Sequence, residues 1–334
     1  MFKKPRILVV GSLVMDLIVS TEHFPSSGET VLGKSFTTAP GGKGANQAVQ
    51  AARLGAEVTM VGAVGNDAFG QELMGSLKAS GVNVDHVSIK SETSSAIGNI
   101  LLEVKEGQKS KNRIIVVPGA NYALNSADVQ FLSEEIDKYD MVILQLEITE
   151  EVNEIVAEYA YKKQVPVMLN SAPYVPISQK LLSYINYISP NEHEAAGITG
   201  ITIRSEDEAY RLEDVKSVTK KLMELGIKNA IITLGSNGAA IANEQELIYA
   251  PCVDIVEVKD PTAAGDSFVG AFCTGVCAGM THAQALEFAS YTATLTVSRM
   301  GAQPSLPTIH EVVELMDQNG FSNFDKSILT VLTN

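Results

Sequence analysis

Short, continuous runs of apolar and mostly β-branched residues recur along the chain, separated by segments with helical character. The runs at 7–10, 58–64, 141–145, 167–170 and 230–234 are typical of strands buried on both faces of a parallel sheet. Helices are predicted between them at 43–54, 69–80, 126–137, 149–163, 205–225, 283–299 and 310–317. This alternation predicts an α/β fold with a central, mostly parallel sheet flanked by helices on both faces.

Four further segments are rich in strand-forming residues but mix polar and apolar positions. They lie at 17–20, 30–38, 96–104 and 113–117, in two excursions from the main alternation at about 16–38 and 96–118. We predict that they form a small second sheet inserted in a single α/β domain of residues 1–334. Lidded α/β enzymes use such excursions to cover a substrate.

Charge and composition narrow the classes of partner. The chain of 334 residues carries a formal net charge of −14. We therefore expect no binding to nucleic acid or to an anionic membrane, because both require basic patches. No segment is apolar over the length that a membrane span requires, and Pro5, Arg6 and Gly11 interrupt the apolar run near the start. We expect a cytoplasmic protein that binds small ligands.

The stretch at 259–279 combines a turn of small residues with the start of a helix. Ala263, Ala264 and Gly265 have almost no side chain, and Asp266 follows in the first helical turn. Unpaired N–H groups and a partial positive charge at a helix start favour an anion such as a phosphate. Asp266 is then suited to accept a proton from an attacking hydroxyl. The alternative is an aspartate that only complements the helix dipole.

Polar residues also gather where other predicted elements begin or end. The sequence PGGKGAN at 40–46 predicts a second helix start, in which Gly42 permits close approach to a ligand and Lys43 and Asn46 offer donors for sugar hydroxyls. Asp16 and Glu147 follow predicted strands at the edge where open α/β sheets bind ligands. A glycine turn with a helix cap, and exposed loop acids, are the structural alternatives.

Two nucleotide-binding motifs are excluded by their context. GETVLGKS at 28–35 matches the P-loop pattern G-x-x-x-x-G-K-S, but its interior is strand-forming and no helix is predicted directly after it. The dinucleotide fingerprint is missing because the glycines near Gly42 and Gly44 lack the third member. A dinucleotide-dependent oxidoreductase is therefore disfavoured.

Six stretches resemble the ribokinase-like carbohydrate kinases, in the order typical of that family and over nearly the whole chain. They are GSLVMD, FPSSGETVLGKSFTTAPGGKGANQAVQAARLGAEV, ISPNEHEA, TLGSNG, DPTAAGDSFVGAF and RMGAQPSLP. The resemblance implies a sheet flanked by helices with a β-sheet lid. It also implies an enzyme that uses ATP to phosphorylate the 5-hydroxyl of D-ribose, with Mg²⁺ accompanying ATP and K⁺ as an activating cation.

The resemblance assigns roles to individual residues. It implies that Asp266 is the catalytic base and that Ala263, Ala264 and Gly265 form an anion hole for the transferring phosphoryl group. The implied sugar contacts are Asp16, Val14, Gly42, Lys43, Asn46, Glu147 and Asp266. The implied nucleotide contacts are Asn191, Thr233, Gly235, Ser236, Gly238, Gly265 and Ser290, with Glu194 linked indirectly to Mg²⁺. The implied monovalent-cation loop contains Asp260, Thr262, Thr296, Arg299, Gly301 and Ser305.

Two positions depart from the family's pattern. Val14 stands where bacterial members typically carry an asparagine, and Ser290 stands where an asparagine near the adenine is common. An apolar residue cannot hydrogen-bond a sugar hydroxyl, so a kinase of 2-deoxyribose, or of another sugar or nucleoside, is an alternative. A sugar or nucleotide sensor on the same fold is the non-enzymatic alternative. If the lid exposes an apolar face, a homodimer formed through the lid is expected.

Overall fold

The strands of the protein form a large sheet, a four-stranded sheet and a short hairpin. The computed structural model describes residues 3–105, 111–206, 209–319 and 326–333. Its strands are β1 (Arg6–Val10), β2 (Val14–Thr21), β3 (Ser35–Gly41), β4 (Glu57–Gly65), β5 (Asn83–Lys90), β6 (Ala96–Glu103), β7 (Lys111–Val117), β8 (Met141–Leu144), β9 (Val167–Leu169), β10 (Tyr187–Ile188), β11 (Ser205–Glu206), β12 (Ala209–Tyr210), β13 (Asn229–Thr233), β14 (Ala239–Ala242) and β15 (Leu247–Ala250).

Helices cover both faces of the large sheet. They are α1 (Lys43–Arg53), α2 (Ala68–Ala79), α3 (Ser126–Val129), α4 (Leu132–Glu135), α5 (Glu150–Lys162), α6 (Gln179–Tyr184), α7 (Glu192–Thr199), α8 (Leu212–Glu224), α9 (Ala264–Ala278), α10 (His282–Val297), α11 (Ile309–Asn319) and α12 (Lys326–Thr333). No helix in the described part of the chain combines the length and the apolar character needed to cross a membrane.

The large sheet has the order β15-β14-β13-β10-β9-β8-β1-β4-β5. From β13 to β5 every neighbouring pair is parallel, whereas β14 and β15 extend one edge as antiparallel strands. Side chains of β1 point alternately to the two faces, with Ile7 and Val9 in one core cluster and Leu8 and Val10 in the other. The predicted α/β fold class is confirmed.

The second sheet has the order β3-β2-β6-β7. Its central strands β2 and β6 run parallel, and β3 and β7 pair with them antiparallel along the two edges. This is the small separate sheet expected from the two excursions, although residues 106–110 of the second excursion lie outside the described residues. Every residue of the edge strand β7 is exposed.

Three predicted elements differ from the structure. The strand expected at 30–38 begins only at Ser35. Ser35 pairs with Ser20, and β2 ends one residue later at Thr21, so β2 offers almost no partner to the residues before Ser35. The helix expected at 126–137 is divided into α3, α4 and a final 3₁₀ turn. The helix expected at 205–225 begins at Leu212, where Arg204 makes a bidentate ion pair with Asp214 in the first turn. The helices α6 and α12 were not predicted.

Candidate active site

Loops and helix starts at the carboxyl edge of the large sheet enclose a polar cavity of about 240 Å³. It lies beside the ends of β9, β10 and β13, as expected for an open parallel sheet. Eight of the residues proposed from the sequence line it together: Lys43, Asn191, Glu194, Thr233, Ala263, Ala264, Gly265 and Asp266. The cavity therefore joins residues that are more than 200 positions apart in the chain.

The start of α9 forms one wall of the cavity. Ala263, the residue before the helix, adopts a left-handed conformation with φ of 59°, which is costly for a residue other than glycine. No side chain caps this helix start, and Gly265 faces open space because a Cβ atom there would meet nothing within 4 Å. The Ala264 N–H donates to the Pro261 carbonyl at 3.2 Å, whereas the N–H groups of Gly265 and Asp266 have no backbone partner among the described residues and are open to an anion in the cavity.

Asp266 lies in that first turn and is 7% exposed. Its Oδ2 accepts a hydrogen bond of 2.9 Å from Asn46 Nδ2, and its Oδ1 accepts one of 2.9 Å from Gln47 Nε2. Both donors belong to α1, so the two helix starts identified in the sequence meet at this carboxylate. Each carboxylate oxygen retains capacity to accept a further bond from a ligand hydroxyl.

Gln47 was not predicted as a site residue, although it is fully buried beneath the cavity. Its Nε2 also donates to Asn170 Oδ1 at 3.2 Å, and its Oε1 accepts from Gln145 Nε2 at 2.7 Å. Helical spacing was the available signal, since Gln47 lies four residues after Lys43 and therefore on the same face of α1.

The start of α1 differs from that of α9 because protein groups already satisfy its N–H donors. Glu147 Oε2 accepts from the Lys43 backbone N–H at 3.0 Å and from Ser12 Oγ at 2.5 Å, while Ser12 Oγ accepts from the Gly44 N–H. Glu147 therefore caps α1, a role that the sequence did not reveal. An anion is better accommodated at α9 than at α1.

Lys43 is surrounded by carboxylates. Burial lowers the pKa of its ammonium group, but the charges of Asp266, Glu147 and Glu194 outweigh that effect and raise the pKa overall. The side chain is therefore charged at neutral pH and offsets three negative charges around the cavity.

Asp16 extends from β2 in the small sheet, and Val14 precedes it on the same strand. Burial, reinforced by the charge of Glu147, raises the pKa of Asp16 to about 6. Gly98 on β6 lies directly opposite Asp16, and a Cβ atom there would approach Asp16 Oδ1 to 2.5 Å. Gly98 is thus a second residue missed from the sequence. Val14 is 6% exposed, so an apolar side chain is buried next to this carboxylate.

Asn46 has one buried atom without a partner. Its Nδ2 is bonded to Asp266, but its Oδ1 has no hydrogen-bond partner among the described residues. Buried acceptors of this kind are normally satisfied, so the atom is suited to a donor supplied by a ligand. Together with Asp16 and Lys43, it gives this part of the site both acceptors and donors for a ligand.

Asn191 and Glu194 form a capping box at the start of α7. Glu194 accepts from the Asn191 backbone N–H and side chain, both at 3.0 Å, and Asn191 bridges to Thr233 at the end of β13. Burial raises the pKa of Glu194, while the Asn191 hydrogen bond and the Lys43 charge oppose the rise. Oxygen donors of this type fit Mg²⁺ that is held mainly by phosphate groups.

The residues predicted to contact the nucleotide do not all lie at the cavity. Thr233 lines the cavity, and Gly235 and Ser236 follow it in a 3₁₀ turn that ends at Gly238. Ser290 is buried within α10 and donates to the Leu286 carbonyl of its own helix. The structure thus places Ser290 apart from the residues that line the cavity.

Part of the proposed cation loop is assembled around Asp260. Asp260 Oδ1 accepts from the Thr262 N–H and hydroxyl, and Oδ2 accepts from the Gly301 N–H at 2.9 Å. These hydrogen bonds lower the pKa of Asp260 against the opposing effect of burial. The donor set is built of oxygen atoms, which suits a hard monovalent cation.

The other three positions of this loop make contacts of their own. Thr296 shares a hydrogen bond of 2.7 Å with Ser267 of α9, and Ser305 donates to the Ala302 carbonyl. Arg299 makes a 2.6 Å bond to Glu311. The side chains of Thr296 and Ser305 are therefore already bonded to protein groups, which leaves backbone carbonyls as the donors for an ion.

Comparison with known proteins identifies the family of the chain. The model of the pfkB family of carbohydrate kinases matches residues 4–309. The ribokinase of Schizosaccharomyces pombe is 41% identical to the chain, and the match covers 92% of this chain and 96% of that protein. The ribokinase of Bacillus subtilis is also 41% identical, and the match covers 93% of this chain and 99% of that protein. The structure of Arabidopsis thaliana ribokinase complexed with ribose and ATP is 33% identical with a TM-score of 0.85, covering 96% of this chain and 100% of that one. The chain belongs to the pfkB family of carbohydrate kinases, phosphotransferases that use an alcohol group as acceptor.

Proposed function

We propose that the protein transfers the γ-phosphoryl group of ATP to the 5-hydroxyl of D-ribose and releases D-ribose 5-phosphate and ADP. The observation that carries the proposal is the meeting of two helix starts at Asp266. One helix start, at Ala263–Gly265, carries N–H groups at Gly265 and Asp266 without a backbone partner among the described residues, and the other brings Lys43 and Asn46. The relatives named above, and the ligands of the Arabidopsis structure, support ribose and ATP as the substrates.

The chemistry follows from the positions of the groups. Asp266 takes the proton of the 5-hydroxyl as its oxygen attacks the γ-phosphorus, and the bond to the β–γ bridging oxygen breaks to release ADP. The N–H groups of Gly265 and Asp266 stabilise the charge on the phosphoryl oxygens during transfer, while the Ala264 N–H is bonded to the Pro261 carbonyl. Lys43 balances the carboxylates around the reaction centre.

The sugar is held between the two sheets in this proposal. Asp16 accepts hydrogen bonds from sugar hydroxyls, and Asn46 accepts one through its unpartnered Oδ1. Gly42 gives room at the start of α1, and Glu147 fixes that start. The small sheet acts as a lid that excludes water from the phosphoryl group. In this proposal, residues 1–334 act as one kinase unit.

Two cations complete the proposed site. Asn191 and Glu194 would hold Mg²⁺ through its water ligands, and the ion supplies neutralisation of phosphate charge when bound. The carbonyl groups around Asp260, Thr262 and Gly301 would hold K⁺, which would then fix the shape of the helix start at Ala263. Thr233, Gly235, Ser236 and Gly238 are proposed to line the nucleotide, while Ser290 is not supported as a direct contact.

A kinase of 2-deoxyribose is the second candidate, and one observation favours it. Val14 is buried beside Asp16 on the strand that faces the sugar, so a hydroxyl directed at Val14 would lose a partner. An unpaired hydroxyl costs about 1–3 kcal/mol, which is a factor of about 5 to about 150 in the specificity ratio.

The test measures ADP formation with D-ribose, 2-deoxyribose, fructose and adenosine, with and without K⁺, for wild type, Asp266→Asn and Val14→Asn. We expect D-ribose to be the preferred substrate and Asp266→Asn to lose at least about a hundredfold in kcat. A preference for 2-deoxyribose that Val14→Asn reverses would establish the second candidate. No activity on any of the four would contradict the pentose-kinase proposal.

We also propose that two copies pair through the lid. On the edge strand β7, Ile114, Ile115, Val116 and Val117 are 45–64% exposed, and unpaired strand edges with apolar side chains associate readily. Ile115→Lys should convert a dimer to a monomer in light scattering. Ile89→Lys is the control, because Ile89 is similarly exposed at the edge of the other sheet. A wild-type monomer would contradict the proposal.

A further inference from the structure

Beneath Asp266, three buried amide side chains form a continuous hydrogen-bonded network. Gln145 follows β8, Gln47 lies on α1, and Asn170 follows β9. Gln145 and Gln47 are at most 1% exposed and Asn170 is 7% exposed. The network thus ties two strand ends of the large sheet to the helix whose residues contact the carboxylate.

The direction of every bond in this network follows from one backbone carbonyl. Asn170 Nδ2 donates to the Ser189 carbonyl at 2.9 Å, which can only accept, so Asn170 must present its Oδ1 to Gln47. Gln47 must therefore present its NH₂ group on that side, where Asp266 Oδ1 also lies. Its Oε1 then faces Gln145, which must supply its own NH₂ group.

An unsatisfied atom shows the strength of this constraint. Gln145 Oε1 is buried and has no hydrogen-bond partner among the described residues. Reversing the Gln145 amide would turn that oxygen toward Gln47 Oε1, so that two acceptors would face each other. The network thus tolerates one buried acceptor without a partner among the described residues, which is unfavourable, and keeps an N–H donor of Gln47 directed at Asp266.

We propose that Gln47 is a positioning residue for phosphoryl transfer, because it fixes the rotation of the Asp266 carboxylate through an amide whose orientation is set by Asn170 and Gln145. The inference rests on the proposed function, in which Asp266 is the base. Asn46 holds Oδ2 from the sugar side, and Gln47 holds Oδ1 from below. With both oxygens held, the carboxylate keeps one geometry toward the attacking hydroxyl, and small errors in such geometry are costly.

The experiment compares kcat and the sugar KM for wild type, Gln47→Met, Gln47→Glu and Asn153→Leu. Asn153 is the matched control, since it is a fully buried amide on α5 that donates only to the Gln145 backbone carbonyl. We expect Gln47→Met to lower kcat about ten- to hundredfold, with the sugar KM within about threefold of wild type. Asn153→Leu should change the unfolding temperature but leave kcat within about threefold.

Gln47→Glu adds a readout that a structural role would not move. The introduced carboxyl would face two acceptors, Asp266 Oδ1 and Asn170 Oδ1, and only its protonated form, which has one O–H, can donate to one of them. The titratable groups around it are Asp266 on α9, Lys43 on α1, Glu147 after β8 and Glu194 on α7. The ratio of kcat for this variant to that of wild type should therefore rise by about threefold or more from about pH 8 to about pH 6.

The outcomes separate this inference from the proposed function. Failure of wild type to phosphorylate any sugar would contradict the proposed function before a variant is made. With an active wild type, a kcat of Gln47→Met no lower than that of Asn153→Leu, or an effect confined to KM, would overturn the positioning role. If Gln47→Met does not fold, the isosteric Gln47→Glu decides, and a pH-independent ratio would overturn the role.

Discussion

Asp16 carries a charge that the folded protein holds at a cost, so replacing it by asparagine should stabilise the free protein while weakening sugar binding. Burial and the neighbouring Glu147 charge raise the pKa of Asp16 from its ordinary value of 3.8 to about 6. A charged group in an unfavourable environment is characteristic of functional sites, where stability is lost for the sake of binding.

The magnitude follows from the difference between those two pKa values. Each pKa unit corresponds to about 1.4 kcal/mol, so the difference between 3.8 and about 6 corresponds to about 3 kcal/mol of lost stability at pH values where Asp16 is ionised. Asp16 is only half-buried, and solvent screening reduces the expected gain for Asp16→Asn to about 1–3 kcal/mol. Because the folded protein binds the proton more tightly than the unfolded chain, the penalty is absent below about pH 4 and complete above about pH 7.

The assay is urea unfolding of wild type, Asp16→Asn and Asp85→Asn at about pH 4.5 and about pH 8, with calorimetric titration of D-ribose. Asp85 is an exposed aspartate outside the site and controls for the change in net charge. We expect Asp16→Asn to be more stable than wild type mainly at the higher pH, and to bind ribose at least about tenfold more weakly. A gain equal at both pH values, or a loss at pH 8, would refute the reasoning.

Three further predictions test neighbouring parts of the site. Gly98→Ala should raise the sugar KM more than about tenfold without unfolding the protein. The new Cβ atom would lie only 2.5 Å from Asp16 Oδ1 and would therefore displace that carboxylate; an unchanged KM would contradict this prediction. Arg53→Met should lower the free energy of unfolding by about 2–4 kcal/mol, because Arg53 Nη1 donates to the Gln303 and Leu306 carbonyls at 2.7 Å. The same bonds hold the segment that contains Gly301 and Ser305 of the proposed cation loop, so the variant should also need a higher K⁺ concentration for activity. Ala263→Val should cost about 1–3 kcal/mol in thermal unfolding and lower kcat, since a β-branched residue is strained at φ of 59°.

The parts of the site that end a strand or begin a helix could be predicted from the sequence. The apolar runs identify parallel strands, and their carboxyl ends must share one edge of the sheet, which brings Glu147, Asn191 and Thr233 to the same side. Asp16 lies instead on β2 of the small sheet, which the sequence did not show. The small residues before Asp266 and the glycines before Lys43 mark helix starts. These signals are local, so a few residues of sequence are sufficient to read them.

The residues that the sequence did not reveal depend on contacts between distant segments. Gln47 lies in a helix rich in alanine and glutamine, and its composition does not distinguish a buried amide from an exposed one. Gly98 matters only because β6 pairs with β2 in a register that sets it opposite Asp16. Glu147 was predicted as a site residue, but its role as the cap of α1 depends on the fold, which brings it to the Lys43 N–H.

The packing of α9 against α1 explains why one carboxylate can be reached from both helix starts. Gly270 of α9 lies so close to α1 that a Cβ atom there would be 3.0 Å from the Gln47 carbonyl oxygen. Below that point Ser267 donates to Gln50 Oε1 at 3.0 Å, which joins the helices through a buried hydrogen bond. At this separation the short side chains of Asn46 and Gln47 span the gap to Asp266.

The two helices therefore act as one unit that holds the base, whereas Asp16 belongs to the separate four-stranded sheet. In the proposed reaction, a sugar that bonds to Asp16 and presents its hydroxyl to Asp266 connects the lid to the helix pair. Sugar binding is then the event that closes the lid over the phosphoryl group, and a ligand that lacks contacts to Asp16 gains no such closure.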